Sequence, residues 1–283
     1  MKNIVDLVTP FDFDNLINYE ELKIILDYLL KNDVDGIVVL GRCSESISMS
    51  FEEKIELVKF VLGYIDKRVI TYVNLNGNIH DLIDFDELVK DLDFDYYIVE
   101  ISGGNDTGIV KYYSYLADKL SHKIMVYNDK EFNYDVMKSL SYHPNIVGTI
   151  INTNNVRYLI DLLKINKEKL DIYLADDYLI LVGISLGVKG IISVIGNAYP
   201  NFISEVSVPL ESSDKEFLKY EQIIKGVYSE QIPVALKYLM KIKGSISDKV
   251  RLPNGVCSKK LKRKIEEDYL NLWFIKENKF FGT

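Results

Sequence analysis

Four consecutive residues, Arg42-Cys43-Ser44-Glu45, form the densest run of side chains able to do chemistry, directly after the apolar run 36–40. A guanidinium there can grip a carboxylate or phosphate through a two-pronged fork. The competing reading is an internal pair with Glu45 or Glu100. Cys43 beside that charge is either a thiol activated by a lowered pKa or a simple buried side chain. No histidine lies close in the motif to serve as its base, which favours burial. Similar polar residues end the other apolar runs: Thr9; Asn74 and Asn76; Glu100 and Ser102; Tyr127 and Asn128; Asn152 and Thr153; Asp176 and Asp177; and Asn197. Lys130, three residues past Tyr127, is the only lysine near this set, and a solvent-exposed loop position competes with a nucleophilic role for it. His80, His122 and His143 fall at helix starts or strand beginnings, so no metal site and no histidine base is expected. Gly103-Gly104 with Gly108 is too loosely spaced for a dinucleotide turn, and no cofactor is expected.

These residues need elements to position them. Short apolar runs at 3–8, 36–40, 69–73, 96–101, 123–127, 146–151, 171–174 and 190–194 read as eight strands. Helical spacing lies between them at 19–30, with Asn18 as N-cap, and at 81–90, 108–120, 134–140, 156–165 and 178–186. A further helix starts behind Ser50, which forms a capping box with Glu53. Strand and helix in strict alternation predict parallel pairing through right-handed crossovers. Eight units without a dinucleotide turn favour an α/β TIM (β/α)8 barrel over an open doubly wound sheet. After Pro209 three helices follow at 213–225, 229–243 and 258–276 with no strand between them. The expected organisation is a barrel over 1–209 and a C-terminal three-helix extension over 210–283 packed on it, a single domain overall. In a TIM barrel the strand C-termini carry the site, so the polar set should converge at one mouth. Lys189, at the beginning of its strand, belongs to the opposite face.

Composition narrows the setting. A hydrophobic fraction of 48% and a charged fraction of 27% are globular averages and exclude a disordered or collagenous chain. Forty-two acids against 34 bases give a formal charge of −8, which repels phosphate backbones and argues against nucleic acid. The basic run 259–264 reads as a solvated helix face. Two cysteines are too few for a disulfide scaffold. No run approaches the ~20 apolar residues of a membrane span, and the N-terminus lacks a signal pattern. A cytoplasmic protein without a membrane partner is expected. Most of the 20 tyrosines fall inside strand or helix patterns and read as core.

Several segments, in order along the chain, resemble the dihydrodipicolinate synthase and N-acetylneuraminate lyase family over residues 5 to about 270. They are Leu7-Val8-Thr9-Pro10-Phe11; Gly41-Arg42-Cys43-Ser44-Glu45-Ser46, where the family has Gly-Thr-Thr-Gly-Glu-Ser; Val126-Tyr127-Asn128; and Pro144-Asn145-Ile146-Val147-Gly148. Asp176-Asp177, Gly190-Ile191-Ile192-Ser193-Val194, Ile232-Pro233-Val234 and Arg251-Leu252-Pro253 complete the series. The resemblance implies a class I aldolase. A lysine on strand six forms a Schiff base with pyruvate, and a tyrosine on strand five shuttles protons. It also implies a homo-oligomer, dimer or tetramer, in which a neighbouring subunit lends a second tyrosine.

Residue by residue, the carry-over is mixed. Tyr127 matches the strand-five tyrosine. Arg42 and Cys43 replace the two motif hydroxyls, and Ser44 replaces the glycine. With Ile192 of the strand-eight motif they mark the substrate-binding positions. The borrowed tyrosine should fall near Gly103 or Gly104, and the carboxylate-binding arginine within 129–132; neither is present. The Schiff-base position is Ile150, and an isoleucine cannot form an imine. The expected function is therefore a catalytically degenerate relative that binds a small anion or acts as an assembly or regulatory partner. The alternatives are a lyase or aldolase acting on pyruvate or another 2-keto acid with rearranged residues such as Lys130, Arg42, Tyr127 or Glu100, and a subunit paired with an active paralogue.

Overall fold

The computed structural model describes residues 1–32, 34–165, 170–207 and 210–281. Eight parallel strands close into a barrel in sequence order: β1 (Lys2–Asp6), β2 (Gly36–Val39), β3 (Ile70–Leu75), β4 (Tyr96–Val99), β5 (Ile124–Asn128), β6 (Ile146–Ile151), β7 (Asp171–Leu174) and β8 (Gly190–Ser193). Between them run α1 (Tyr19–Lys31), α2 (Phe51–Ile65), α3 (Ile79–Val89), α4 (Asp106–Lys119), α5 (Tyr134–Leu140), α6 (Val156–Leu162) and α7 (Ile180–Leu186). The strand and helix ends fall within a few residues of the sequence expectation. Asn18 caps α1, and Ser50 with Glu53 forms both halves of the capping box on α2. One helix had no counterpart in the sequence pattern: α8 (Phe202–Val206), five residues long, which is too short for 3.6-residue periodicity to register.

The strands are buried on both faces, which is why they read as continuous apolar runs. One layer faces the helices. The other fills the barrel with Ile4, Val38, Tyr72, Ile98, Met125, Tyr127, Ile150, Tyr173, Ala175 and Ile192. Tyr72 and Tyr173 meet hydroxyl to hydroxyl at 3.5 Å inside this layer, so several of the tyrosines are indeed core. Closure of β8 onto β1 is stitched by Asn197, whose Oδ1 accepts from Val8 N–H at 3.0 Å while Nδ2 donates to the Asp6 and Val194 carbonyls. A single amide thereby satisfies backbone groups that the strand ladder leaves open.

Three helices follow the barrel: α9 (Leu210–Val227), α10 (Val234–Ile242) and α11 (Lys259–Phe281). They pack on one another, and α9 also lies against α7 and α8. Their connections reach the strand C-termini, so residues far along the chain enter the barrel mouth. No helix among the described residues is long and apolar enough to cross a membrane.

Candidate functional site

A cleft of about 1040 Å³ opens over the strand C-termini. Gly41, Arg42, Glu45, Asn74, Asn76 and Glu100 form its barrel side, and Tyr228–Ile232 with Pro253–Val256 form its outer wall. Of the mouth residues expected from sequence, Arg42, Glu45, Asn74, Asn76 and Glu100 line it, and the α9–α10 and α10–α11 connections add a wall that strand patterns did not announce.

Arg42 lies in a 3₁₀ turn directly after β2 and reaches across the mouth. One terminal nitrogen donates to the Ala175 carbonyl at 2.7 Å, and the other sits 3.4 Å from Asn152 Oδ1. Its Nε is 3.9 Å from Asp6 Oδ2. The competing internal pair with Glu45 or Glu100 does not form, and the acid facing Arg42 is Asp6. Glu45 is taken by a lysine, and Glu100 accepts from Asn74 Nδ2 at 2.9 Å. Burial opposes the charge of Arg42, but its pKa still lies above the ordinary guanidinium value, and with Tyr127 and Tyr228 neutral it is Asp6 that sets a negative charge beside it.

The turn carrying Arg42 is bracketed by two non-glycine residues in the left-handed region, Leu40 (φ 62°) and Glu45 (φ 58°). A branched side chain such as leucine rarely adopts this conformation, and each instance costs about 1–3 kcal/mol unless its surroundings enforce it. Gly41 allows the turn to approach β1: a Cβ there would lie 2.0 Å from Asp6 Oδ1. Cys43 is fully buried, and burial together with Asp6 pushes its thiol well up, so the activated-thiol reading fails. Ser44 turns its hydroxyl inward to the Gly41 carbonyl at 2.7 Å.

Tyr127 ends β5 beside Ile150 on β6, the two being register partners. Its hydroxyl accepts from Asn152 Nδ2 at 2.9 Å, and burial pushes its pKa up to about 12, so it stays neutral. Asn152 thus couples Arg42 to Tyr127. Ile150 is 0% exposed, and Ile192 lies in the same interior layer, so both are walls of the barrel below the cleft. Lys130 is half exposed and sits 3.6 Å from Asp129, which leaves it in the loop. Lys189 pairs with Asp171 at the start of β7, on the opposite face. Among the described residues no histidine lines the cleft: His143 contacts Asp118, and His122 stacks on Phe94. No cluster able to hold a metal ion occurs among the described residues.

Asp177 is a structural member of the mouth. It accepts from Ser193 Oγ at 2.6 Å, from Val194 and Ile195 N–H at 3.1 and 2.9 Å, and from Tyr228 at 3.0 Å. These bonds tie β7, β8 and the end of α9 together. Burial nevertheless raises its pKa, so the fixed donors only partly offset the lost hydration. Replacing Asp177 by alanine strands four donors and is expected to destabilise the fold by about 3 kcal/mol, read as a lower urea midpoint at unchanged slope.

Asp6, Lys237 and Tyr228 were not singled out from sequence. Asp6 sat within an apolar run, and its charge in a buried strand was the available signal. Tyr228 lies in the turn just past α9 and Lys237 within α10, and the approach of either to the mouth has no local signature.

Comparison with known proteins agrees with the barrel fold. A 4-hydroxy-tetrahydrodipicolinate synthase from Brachyspira hyodysenteriae is 27% identical over 270 residues, covering 90% of this chain and 92% of the relative. One from Geobacter metallireducens is 25% identical over 284 residues, covering 94% and 98%. In fold, the crystal structure of dihydrodipicolinate synthase from Aquifex aeolicus superposes with a TM-score of 0.89 at 24% identity, covering 96% of this chain and 98% of that one. The chloride-inhibited enzyme from Acinetobacter baumannii, complexed with pyruvate, gives 0.91 at 22% identity with the same coverage. The profile described as the dihydrodipicolinate synthetase family matches residues 1–270, and the chain belongs to that family.

Proposed function

We propose that this protein is a family member without Schiff-base chemistry, whose mouth holds a small anion, such as the carboxylate of a 2-keto acid, on Arg42. The observation that carries the reading is the pairing of Ile150, sealed in the barrel interior, with a guanidinium spanning the mouth above it. Two of the five N–H groups of Arg42 point at Ala175 O and Asn152, and its side chain is 26% exposed, so donors remain for a ligand. Left-handed backbone at Leu40 and Glu45, on either side of that arginine, gives the turn a fixed shape that suits binding. A relative described as chloride-inhibited and complexed with pyruvate gives two small anions as precedents.

The rearranged-lyase reading has less support. It needs an amine in the mouth, and Lys130 is exposed and paired with Asp129. The one fully buried lysine among the described residues, Lys237, is held by Glu45 at 2.6 Å and by the Lys249 carbonyl at 2.9 Å. We assign the assembly role to the rim. Phe13, Leu16, Ile47, Leu252 and Val256 are all exposed, and their loops are joined where Arg251 bonds the carbonyls of Asn15 and Ser48. Exposed apolar side chains on joined loops fit an oligomer contact, with a second copy or with an active paralogue. The unit is then a barrel over 1–209 carrying a helical extension over 210–283, at work in the cytoplasm.

Borohydride reduction with pyruvate, read by intact mass, tests the chemistry: no adduct is expected, and an adduct on any lysine refutes the reading. Titration with pyruvate tests the anion. Arg42→Ala is expected to weaken binding by about tenfold or more, the scale of losing a charge-assisted bond. Native mass spectrometry reports the assembly, and a lone monomer at micromolar concentration counts against the rim.

A further inference from the structure

Asp6 ends β1 with only 3% of its surface exposed, and its contacts are unusually long for a buried carboxylate. Oδ1 lies 3.4 Å from Cys43 N–H, and Oδ2 lies 3.9 Å from Arg42 Nε. Charge-assisted bonds that compensate a buried ion are about 2.7–2.9 Å. The ionised form is accordingly under-compensated: burial outweighs Arg42 and pushes its pKa up to about 6.

The charged and titratable groups around it are few. The turn after β2 supplies Arg42 and Cys43. Glu100 at the end of β4 and Tyr127 on β5 also feel its charge. Asp177 faces Cys43, and Tyr228 at the end of α9 faces Arg42. Cys43, Tyr127 and Tyr228 are kept neutral by burial, and Asp177 is enclosed by its four donors. Further out, Asp129 acts on Glu100 and Tyr127, Asp176 acts on Tyr228, Glu230 stands on the outer wall, and Glu45 is held by Lys237. Beside Arg42 itself the acids that share its charge are Asp6 and Glu100.

We propose that this mouth binds its anion together with a proton, which Asp6 takes from solvent, because the ligand carboxylate and the Asp6 carboxylate compete for a single guanidinium. The inference rests on the reading of Arg42 as the anion's partner. An anion brought beside ionised Asp6 meets repulsion that solvent screens poorly in a partly dry cleft. Protonating Asp6 removes that repulsion and creates an O–H donor. A carboxylic acid is then taken up as its net neutral form, and a monoanion is selected over a dianion, for which the described residues lining the cleft offer no second cation.

The sign follows from linkage. The ligand raises the Asp6 pKa above its free value of about 6. Below that value Asp6 is already protonated and affinity is constant. Between the free and bound values affinity falls with rising pH by up to about tenfold per unit.

Isothermal titration of the whole chain with pyruvate, across pH and in two buffers of different ionisation heat, tests this. Wild type is expected to take up close to one proton per pyruvate just above neutrality and to lose affinity there. Asp6→Asn is expected to bind with no uptake and a flat pH dependence, and Glu100→Gln to keep the uptake. Uptake that survives in D6N and vanishes in E100Q assigns the proton to Glu100 and overturns the proposal. Binding without uptake in the wild type overturns the coupling and leaves the Arg42 reading standing. No binding at acid or neutral pH overturns both.

Discussion

Replacing Lys237 by methionine is expected to destabilise the protein by about 3–5 kcal/mol, the scale of breaking a buried ion pair from one side. Lys237 and Glu45 meet at 2.6 Å, with side-chain exposures of 0% and 1%. The pair's own net contribution is small, because two ions leave water to form it. The loss comes from what remains. Glu45 would keep only Arg251 N–H at 2.9 Å and Asn254 Nδ2 at 3.0 Å, a buried carboxylate without a cation. Lys237 also lies 4.3 Å from the centre of the Phe11 ring, so α10, the first βα loop and the Arg42 turn all meet at this point. Chemical denaturation reads the effect, and Glu45→Gln in the Lys237→Met background should recover a large part of it. If the double variant is no more stable than K237M, the stranded-charge explanation is wrong. The pH profile gives a second readout. Burial pushes the ammonium down to about 8, below its unfolded value, although Glu45 opposes the shift. A base depressed by folding carries its burial cost below the folded pKa and sheds it as pH rises. Wild type should therefore gain stability relative to K237M above about pH 8.

Placing a lysine at position 150 is expected to be nearly as costly, and in a pH-dependent way. Ile150 is 0% exposed, between Tyr127 on β5 and Tyr173 on β7. The acids named above give an ammonium there no dedicated partner: Asp6 shares Arg42, Glu100 holds Asn74, and Asp177 is saturated. A lysine so placed should lose about 3 pKa units or more, which is about 4 kcal/mol at neutral pH. That penalty should shrink as pH approaches the lysine's unfolded value, so urea midpoints of Ile150→Lys and wild type should converge in alkaline buffer. A constant gap would mean that the loss is steric. The same desolvation leaves a neutral amine beside Tyr127, and a borohydride-reducible pyruvate adduct is expected in the variant alone.

Much of the fold was legible without coordinates. Alternation of buried strands and amphipathic helices is a local signal, and eight such units close into one barrel for geometric reasons. The helix caps at Asn18 and Ser50 were equally readable, because a capping residue and its N3 partner lie within one turn of each other. The five-residue α8 escaped because it is shorter than two helical turns.

The site divides in the same way. Sequence by itself determined that strand six carries Ile150 and no lysine, that Tyr127 stands on strand five, and that an arginine stands at position 42 directly after strand two. Each of these is a residue identity at a place that strand periodicity locates. Only the tertiary structure decided which groups face one another. Asp6 meets Arg42, Arg42 reaches Asn152 and Ala175 across the mouth, and Glu45 finds Lys237 at a separation of 192 residues. Periodicity tells which face a side chain takes, but not which strand end lies opposite once eight strands have closed on themselves. Long side chains at such a rim can reach several partners within a few ångströms, and packing, rather than local pattern, selects among them.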